Sequence, residues 1–178
     1  FTDHLELDPH IRRIPILLED LRNHDDEKIQ KVVDCDIVVT SFYHLREVQE
    51  YLGYLDMPII GINIEPDVAT LVKVARIPQD HKVGIITTSI QFAREIREVL
   101  EKLNITFSEI FETTSTNANT VKQLVRKCDA VLVSPKQKNA VKDYAMDGTG
   151  VIEFVFTPDR TSINNLKLGI IELKKNLM

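Results

Sequence analysis

Val32-Val33-Asp34-Cys35-Asp36-Ile37-Val38-Val39-Thr40-Ser41, running on to Val48 and Tyr51, has a second copy. It returns as Val125-Arg126-Lys127-Cys128-Asp129-Ala130-Val131-Leu132-Val133-Ser134, running on to Val141 and Tyr144. From Val32 to Val125 the offset is 93, and at that offset Val32, Cys35, Asp36, Val38, Ser41, Val48 and Tyr51 meet identical residues. Each copy reads as the end of a helix, a Cys-Asp pair, a buried strand, a loop containing Ser, and a second helix. Each then runs into another strand, followed by Pro66-Asp67 in the first copy and Pro158-Asp159 in the second. Shared strand–helix composition accounts for part of this likeness; the whole reads as a structural duplication.

Outward from the repeat, short runs rich in Val and Ile alternate with amphipathic stretches. Strands are expected at residues 14–18, 36–40, 58–63, 82–88, 106–112, 129–134 and 151–156. Several are apolar throughout, as in Val83-Gly84-Ile85-Ile86, which suits strands covered on both faces of a parallel sheet. Helices are expected at residues 26–33, 45–52, 68–76, 90–103, 119–128, 139–144 and 162–175. In the stretch 90–103 the apolar residues Phe92, Ile96, Val99, Leu100 and Leu103 fall at helical spacing. Alternation of this kind implies an α/β fold with crossover connections.

The expectation is two Rossmann-like lobes with parallel sheets, related by duplication and periplasmic-binding-protein-like in plan. Lobe one takes residues 1–77 and lobe two residues 78–178, with the last helix free to return to lobe one. The turn Pro78-Gln79-Asp80 marks the boundary. Lobe two shows four strands and lobe one three. The missing first strand of lobe one is expected upstream of Phe1. Residues 1–10 then overlay the end of a long helix or form a linker.

The chain has 178 residues, 43% hydrophobic and 28% charged, so it is not a disordered polymer. No apolar run approaches the roughly 18–20 residues that span a bilayer. Its 22 basic and 27 acidic side chains give a net charge of −5, a balance that does not favour a phosphate backbone. Two cysteines make no disulfide framework and read as buried reduced thiols, so a cytoplasmic location is expected. The start Phe1-Thr2-Asp3-His4-Leu5-Glu6 has no basic or apolar leader segment and no initiator Met. It reads as a fragment.

In open parallel sheets ligands bind beyond the carboxyl ends of the strands. Two facing lobes would pool their loops in one cleft. The candidate ligand-binding residues are therefore Thr40, Ser41, Phe42, Tyr43, His44, Asn63 and Glu65 from lobe one, with Thr87, Thr88, Ser89 and Ser134 from lobe two. Helix N-termini suit carboxylates and phosphates, so an anion at Thr88 and Ser89 is expected. The same hydroxyls also serve as plain helix caps. Phe42 and Tyr43 read as loop aromatics, either lining a cleft or sitting at a hinge or interface. His44 is a cap or surface residue in the alternative reading, and Glu65 either meets a cation or faces solvent.

No cofactor or metal is expected. His4, His10, His24 and His81 show no ligand spacing, and the six glycines form no phosphate loop. A racemase-like enzyme would use one cysteine per lobe. Cys35 and Cys128 precede their strands and so fall at the end away from the expected cleft, and no enzymatic activity is expected.

The stretch Asp36-Ile37-Val38-Val39-Thr40-Ser41-Phe42-Tyr43-His44-Leu45 carries a resemblance. With it go Glu65-Pro66-Asp67, Leu71 and Ala75-Arg76-Ile77-Pro78, leading into Lys82-Val83-Gly84-Ile85-Ile86. Together they resemble the carboxy-terminal region of a group of bacterial GntR-type transcription regulators. In that group a winged helix-turn-helix precedes a two-lobed, periplasmic-binding-protein-like sensor. The resemblance covers residues 36–89 and extends to the rest by architecture alone. It implies a small-molecule effector, DNA contact only through an N-terminal module outside this chain, no membrane partner, and a homodimer. The alternatives are a solute-binding protein or the racemase-like enzyme.

Overall fold

A computed structural model of the chain describes residues 8–176. The chain is α/β, with parallel sheets and helices on their faces. It divides into two compact units: one of residues up to Glu65 together with those from Thr157, the other Pro66–Phe156. The expected boundary at 77/78 lies inside the second unit.

In unit 1 come α1 (Leu18–Arg22), α2 (Asp26–Val33), β1 (Val38–Ser41), α3 (Phe42–Leu52), β2 (Ile59–Ile62) and, last in the chain, α8 (Arg160–Asn176). Strands β1 and β2 form a two-stranded parallel sheet, with Val38 beside Ile59 and Ser41 beside Ile62. Side chains alternate across a strand. Val38 and Ile59 therefore pack with Leu21, Val32, Val48 and Leu52 under α1, α2 and α3. On the other face Ile37, Val39, Ile60 and Ile62 meet Leu166 and Ile170 of α8.

Unit 2 holds α4 (Val68–Ala75), β4 (Lys82–Ile86), α5 (Ile90–Lys102), β5 (Glu109–Thr113), α6 (Ala118–Val125), β6 (Ala130–Val133), α7 (Lys138–Lys142) and β7 (Gly150–Glu153). Its parallel sheet has the order β5-β4-β6-β7. All four residues of β6 are buried, and so are the last four of β4. One face packs Val83, Ile85, Ala130, Leu132 and Phe154 against α4 and α5. The other packs Ile86, Val131 and Val133 against α6 and α7. Each fully buried Val, Leu or Ile contributes about 1.5–3 kcal/mol.

The chain passes from unit to unit within two short strands, β3 (Ile64–Pro66) and β8 (Phe156–Pro158), which pair with each other. Asp159 N donates to Asn63 O at 3.1 Å and Asp67 N to Val155 O at 2.9 Å, so the pair is antiparallel. Each strand ends in a Pro-Asp step that caps a helix. Asp67 Oδ2 accepts from Thr70 N at 2.9 Å and Asp159 Oδ1 from Ser162 N at 2.6 Å. Val74 of α4 is buried in the core of unit 2, and Leu166 of α8 in the core of unit 1. Those burials set the divisions at 65/66 and 156/157, whereas Pro78-Gln79-Asp80 is only the turn after α4.

Several expectations are corrected. Residues 11–17 form no strand, and Leu18 opens a helix. Among the described residues no strand lies where this segment could pair. The expected strand 58–63 breaks at Asn63, because its N–H turns to Ser162 Oγ at 2.8 Å. Phe42, Tyr43 and His44 are not in a loop but in the first turn of α3. Cys128 is buried, but Cys35 is only half-buried. Both thiols donate back along their helices at 3.2 Å, Cys35 to Lys31 O and Cys128 to Leu124 O. The expectation for residues 1–7 lies outside the described residues.

Candidate functional site

In unit 2 the connection from β4 leads through α5 to β5 at one edge of the sheet. The chain then returns through α6 to β6, on the other side of β4. The connections leaving β4 and β6 therefore part company at the carboxyl end of the sheet. That divergence is a topological switch point, the place where open α/β sheets hold their ligands. Thr87, Thr88 and Ser89 follow β4, and Ser134 follows β6.

These residues divide by their bonding. Thr87 is fully buried; its N–H reaches Thr113 O at 3.2 Å and its Oγ1 donates to Ser89 O at 2.8 Å. It shapes the loop rather than facing a ligand. Thr88 and Ser89 are exposed. Ser89 is the N-cap of α5, but its Oγ lies a long 3.4 Å from Phe92 N. The first turn of α5 carries no acidic residue, so no side-chain carboxylate offsets the positive helix end. Ser134 N donates to Ile86 O at 3.2 Å, while the Ser134 side chain makes no capping bond to the short 3-10 turn Pro135–Gln137.

Two residues not singled out from sequence sit beside this edge. Lys138 Nζ, at the start of α7, lies 3.2 Å from Glu153 Oε2 at the end of β7, and both side chains are about two-thirds covered. The only sequence signal was a carboxylate interrupting the apolar run 151–156. The hydroxyls after β5 are consumed locally. Ser115 N uses Thr113 Oγ1, Asn117 N uses Ser115 Oγ, and Asn117 Oδ1 caps α6.

In unit 1, Thr40 and Ser41 end β1, and Ser41 is the N-cap of α3 without a side-chain bond. Phe42 and Tyr43 are 57% and 48% exposed. A Cβ on Gly61 would lie 2.9 Å from Phe42 Cδ1, so this glycine lets the ring lie against β2. His44 Nδ1 is 4.0 Å from Glu47 Oε2. Glu47 also takes Arg22 at 2.7 Å, and that guanidinium holds its carboxyl below the ordinary range. Asn63 belongs to the start of α8, donating from Nδ2 to Asp159 Oδ2 at 2.8 Å. Glu65 is exposed on β3. The structure thus gathers Thr88, Ser89 and Ser134 at one sheet end, and Thr40 to His44 at another.

Helix α5 also holds one buried acid. Glu95 in α5 is 5% exposed, and its nearest partner is Gln91 Nε2 at 3.4 Å. Burial raises its pKa above the ordinary 4.5; the bond from Gln91 opposes the shift and the charge of Glu98 adds to it. As pH climbs from the unfolded value toward the higher folded one, the folded chain keeps a proton that the unfolded chain has lost. Stability falls through that window and stays lower above it. Glu95→Gln is expected to be more stable than the parent at pH 7 and equal to it below about pH 4. Urea unfolding at both pH values checks this; an equal gap at both would reject it.

Among the described residues, no group of three His, Cys, Asp or Glu is placed to hold a metal ion. No helix among them is long and apolar enough to cross a membrane. A parallel sheet covered by helices, with a switch point at its carboxyl end, defines unit 2 as Rossmann-like. The sequence matches the YmtS Rossmann-like domain over residues 84–177, more than half of the chain, and the chain belongs to that family. No match is found among curated proteins.

Proposed function

We propose that this chain is the effector-sensing domain of a bacterial transcription regulator, taking a small anionic metabolite at the switch point of unit 2. The observation that carries the binding reading is the divergence of connections above β4 and β6, where Thr88, Ser89 and Ser134 line the edge. The amide end of α5 suits a carboxylate or phosphate. The GntR-type assignment rests on the resemblance of residues 36–89. DNA contact would belong to a module outside this chain, and the regulator would act as a homodimer on a two-fold operator.

The proposal includes duplication, as in periplasmic-binding-protein-like sensors. Val38 beside Ile59 in one unit matches Val131 beside Val151 in the other, at offsets of 93 and 92. The cysteine back-bonds and the two Pro-Asp caps repeat as well. A racemase-like reading is less favoured. Burial pushes the Cys128 thiol up to about 11, a poor acid or base near neutrality.

Calorimetry with a panel of small carboxylates, phosphates and amines tests the site. Replacing Thr88 and Ser89 together by Ala is expected to remove about 1–3 kcal/mol of anion binding, the usual loss of hydrogen bonds to a charged group. Unchanged affinity would reject the site. If only amines bound, the anion assignment would fail and Glu65 would become the charge-recognising candidate.

A further inference from the structure

Helix α4 turns only one side to the core of unit 2. Thr70 and Val74 are buried and Leu71 is half-buried, whereas Val68, Ala69, Val72 and Ala75 are exposed. Val68 is 72% exposed and Val72 44%. Residues four and seven apart share one side of a helix, so Val68, Val72 and Ala75 form one outward apolar stripe. A surface helix ordinarily turns polar and charged residues to that side.

The charges of α4 are confined to its ends. Asp67 is the N-cap, Lys73 lies in the last turn and Arg76 is the C-cap. The acidic end and the basic end are thus separated by the apolar stripe, and Lys73 and Arg76 are both exposed. Such a surface is complementary to itself when turned end for end. Laid antiparallel about a two-fold axis at Val72, the stripe meets its own copy. Ala69 then lies beside Ala75 of the second copy, and these small side chains allow a close approach. Arg76 of each copy reaches toward Asp67 of the other. A parallel pair would bring like charges together at both ends, which is repulsive. A two-fold contact between identical chains requires this kind of self-complementarity.

Ile90, the first residue of α5, is 61% exposed. Helices α4 and α5 pack on the same face of the sheet, and each runs back to the start of a strand in it. Ile90 and Val68 therefore stand at the same end of this helical layer, and Ile90 widens the apolar patch.

We infer that the exposed side of α4 is the surface through which two copies of this chain associate, antiparallel about an axis at Val72. The inference rests on the homodimer part of the reading above and not on its anion site, which calorimetry tests separately. Eight residues of helix are about 12 Å long. That is too short for the roughly 1,200 Å² of a standard interface, so the association belongs to the weak class.

Sedimentation equilibrium of the 178-residue chain tests it. A reversible dimer is expected, with a dissociation constant between about 1 μM and 1 mM. Val72→Glu sets two carboxylates against each other at the axis. It is expected to weaken the dimer at least about tenfold and to leave the melting temperature of the dilute monomer unchanged, because Val72 faces outward. Cross-linking reads the axis independently. Under oxidised glutathione, Val72→Cys is expected to form a covalent dimer at least about tenfold faster than Val68→Cys, because the antiparallel arrangement sets the two Val68 positions about 12 Å apart along the helices. Equal rates above the parent's background would overturn the antiparallel axis. A dimer that Val72→Glu leaves intact would overturn the inference while the homodimer reading stood. A chain that stays monomeric up to about 1 mM would remove both.

Discussion

Phe154→Ala is expected to destabilise unit 2 by about 3–5 kcal/mol, the usual cost of emptying a buried phenylalanine site. Phe154 follows β7 and has no exposed surface. Its N–H is tied to Val133 O at 2.8 Å, so the backbone there cannot drift to fill the space. The ring lies 5.3 Å from Phe156, which takes the edge of Phe92 at the same centroid distance. Phe92 is in the first turn of α5, three residues from Ser89. Removing Phe154 therefore loosens the packing behind the candidate anion site as well as the core. The chain has no tryptophan, so far-UV circular dichroism in urea is the suitable readout. Phe154→Leu, which keeps most of the volume, should cost much less. A loss below about 1 kcal/mol for the alanine variant would show that the core closes around the gap.

Gly84→Val is expected to cost about 3 kcal/mol, at the upper end of overpacking effects. A Cβ at Gly84 would stand 2.7 Å from Leu124 Cδ2 and 3.0 Å from both Cys128 Sγ and Val131 Cγ1. Leu124 is half-buried and its side-chain end can swing. Cys128 is held by its bond to Leu124 O, and Val131 sits fully buried in β6. The gain in strand propensity, at most about 1 kcal/mol, does not offset three such contacts. Gly150→Ala is the control. There the nearest atom to an added Cβ is Ala130 Cβ at 3.5 Å, an ordinary contact, and thermal unfolding should move little. Equal melting temperatures for Gly84→Val and the parent would mean that α6 is not seated on β4 as described.

The elements legible from sequence were those whose environment is written locally. Strands β4 and β6 are apolar on both faces because both faces are covered. Helix α5 shows its stripe because one side meets the sheet. Residues 14–18 misled because a strand is defined by its neighbour, and composition cannot say whether one is there. The unit boundary misled for a related reason. Helix α4 is apolar nearly all round, so its sequence does not say which core it enters, while Pro78-Gln79-Asp80 is a strong but merely local turn. At the site, the hydroxyls after β4 and β6 could be placed from strand ends alone. That Thr87 is spent on Ser89 O, or that Lys138 meets Glu153, depends on contacts that only the folded backbone creates.

The discontinuity of unit 1 has a bearing on the order of events during synthesis. Unit 2 is one uninterrupted stretch, Pro66–Phe156, and every residue of its core is synthesised before α8 is. Unit 1 begins earlier but cannot close its second face until Leu166 and Ile170 arrive to cover Ile60 and Ile62. The later-made unit is thus the first that can finish folding, and the earlier-made one waits with apolar strand surface uncovered. Domains generally fold in the order in which they emerge; in this chain the two crossings reverse that order. They leave the strands made before Pro66 as the part most in need of a chaperone's protection.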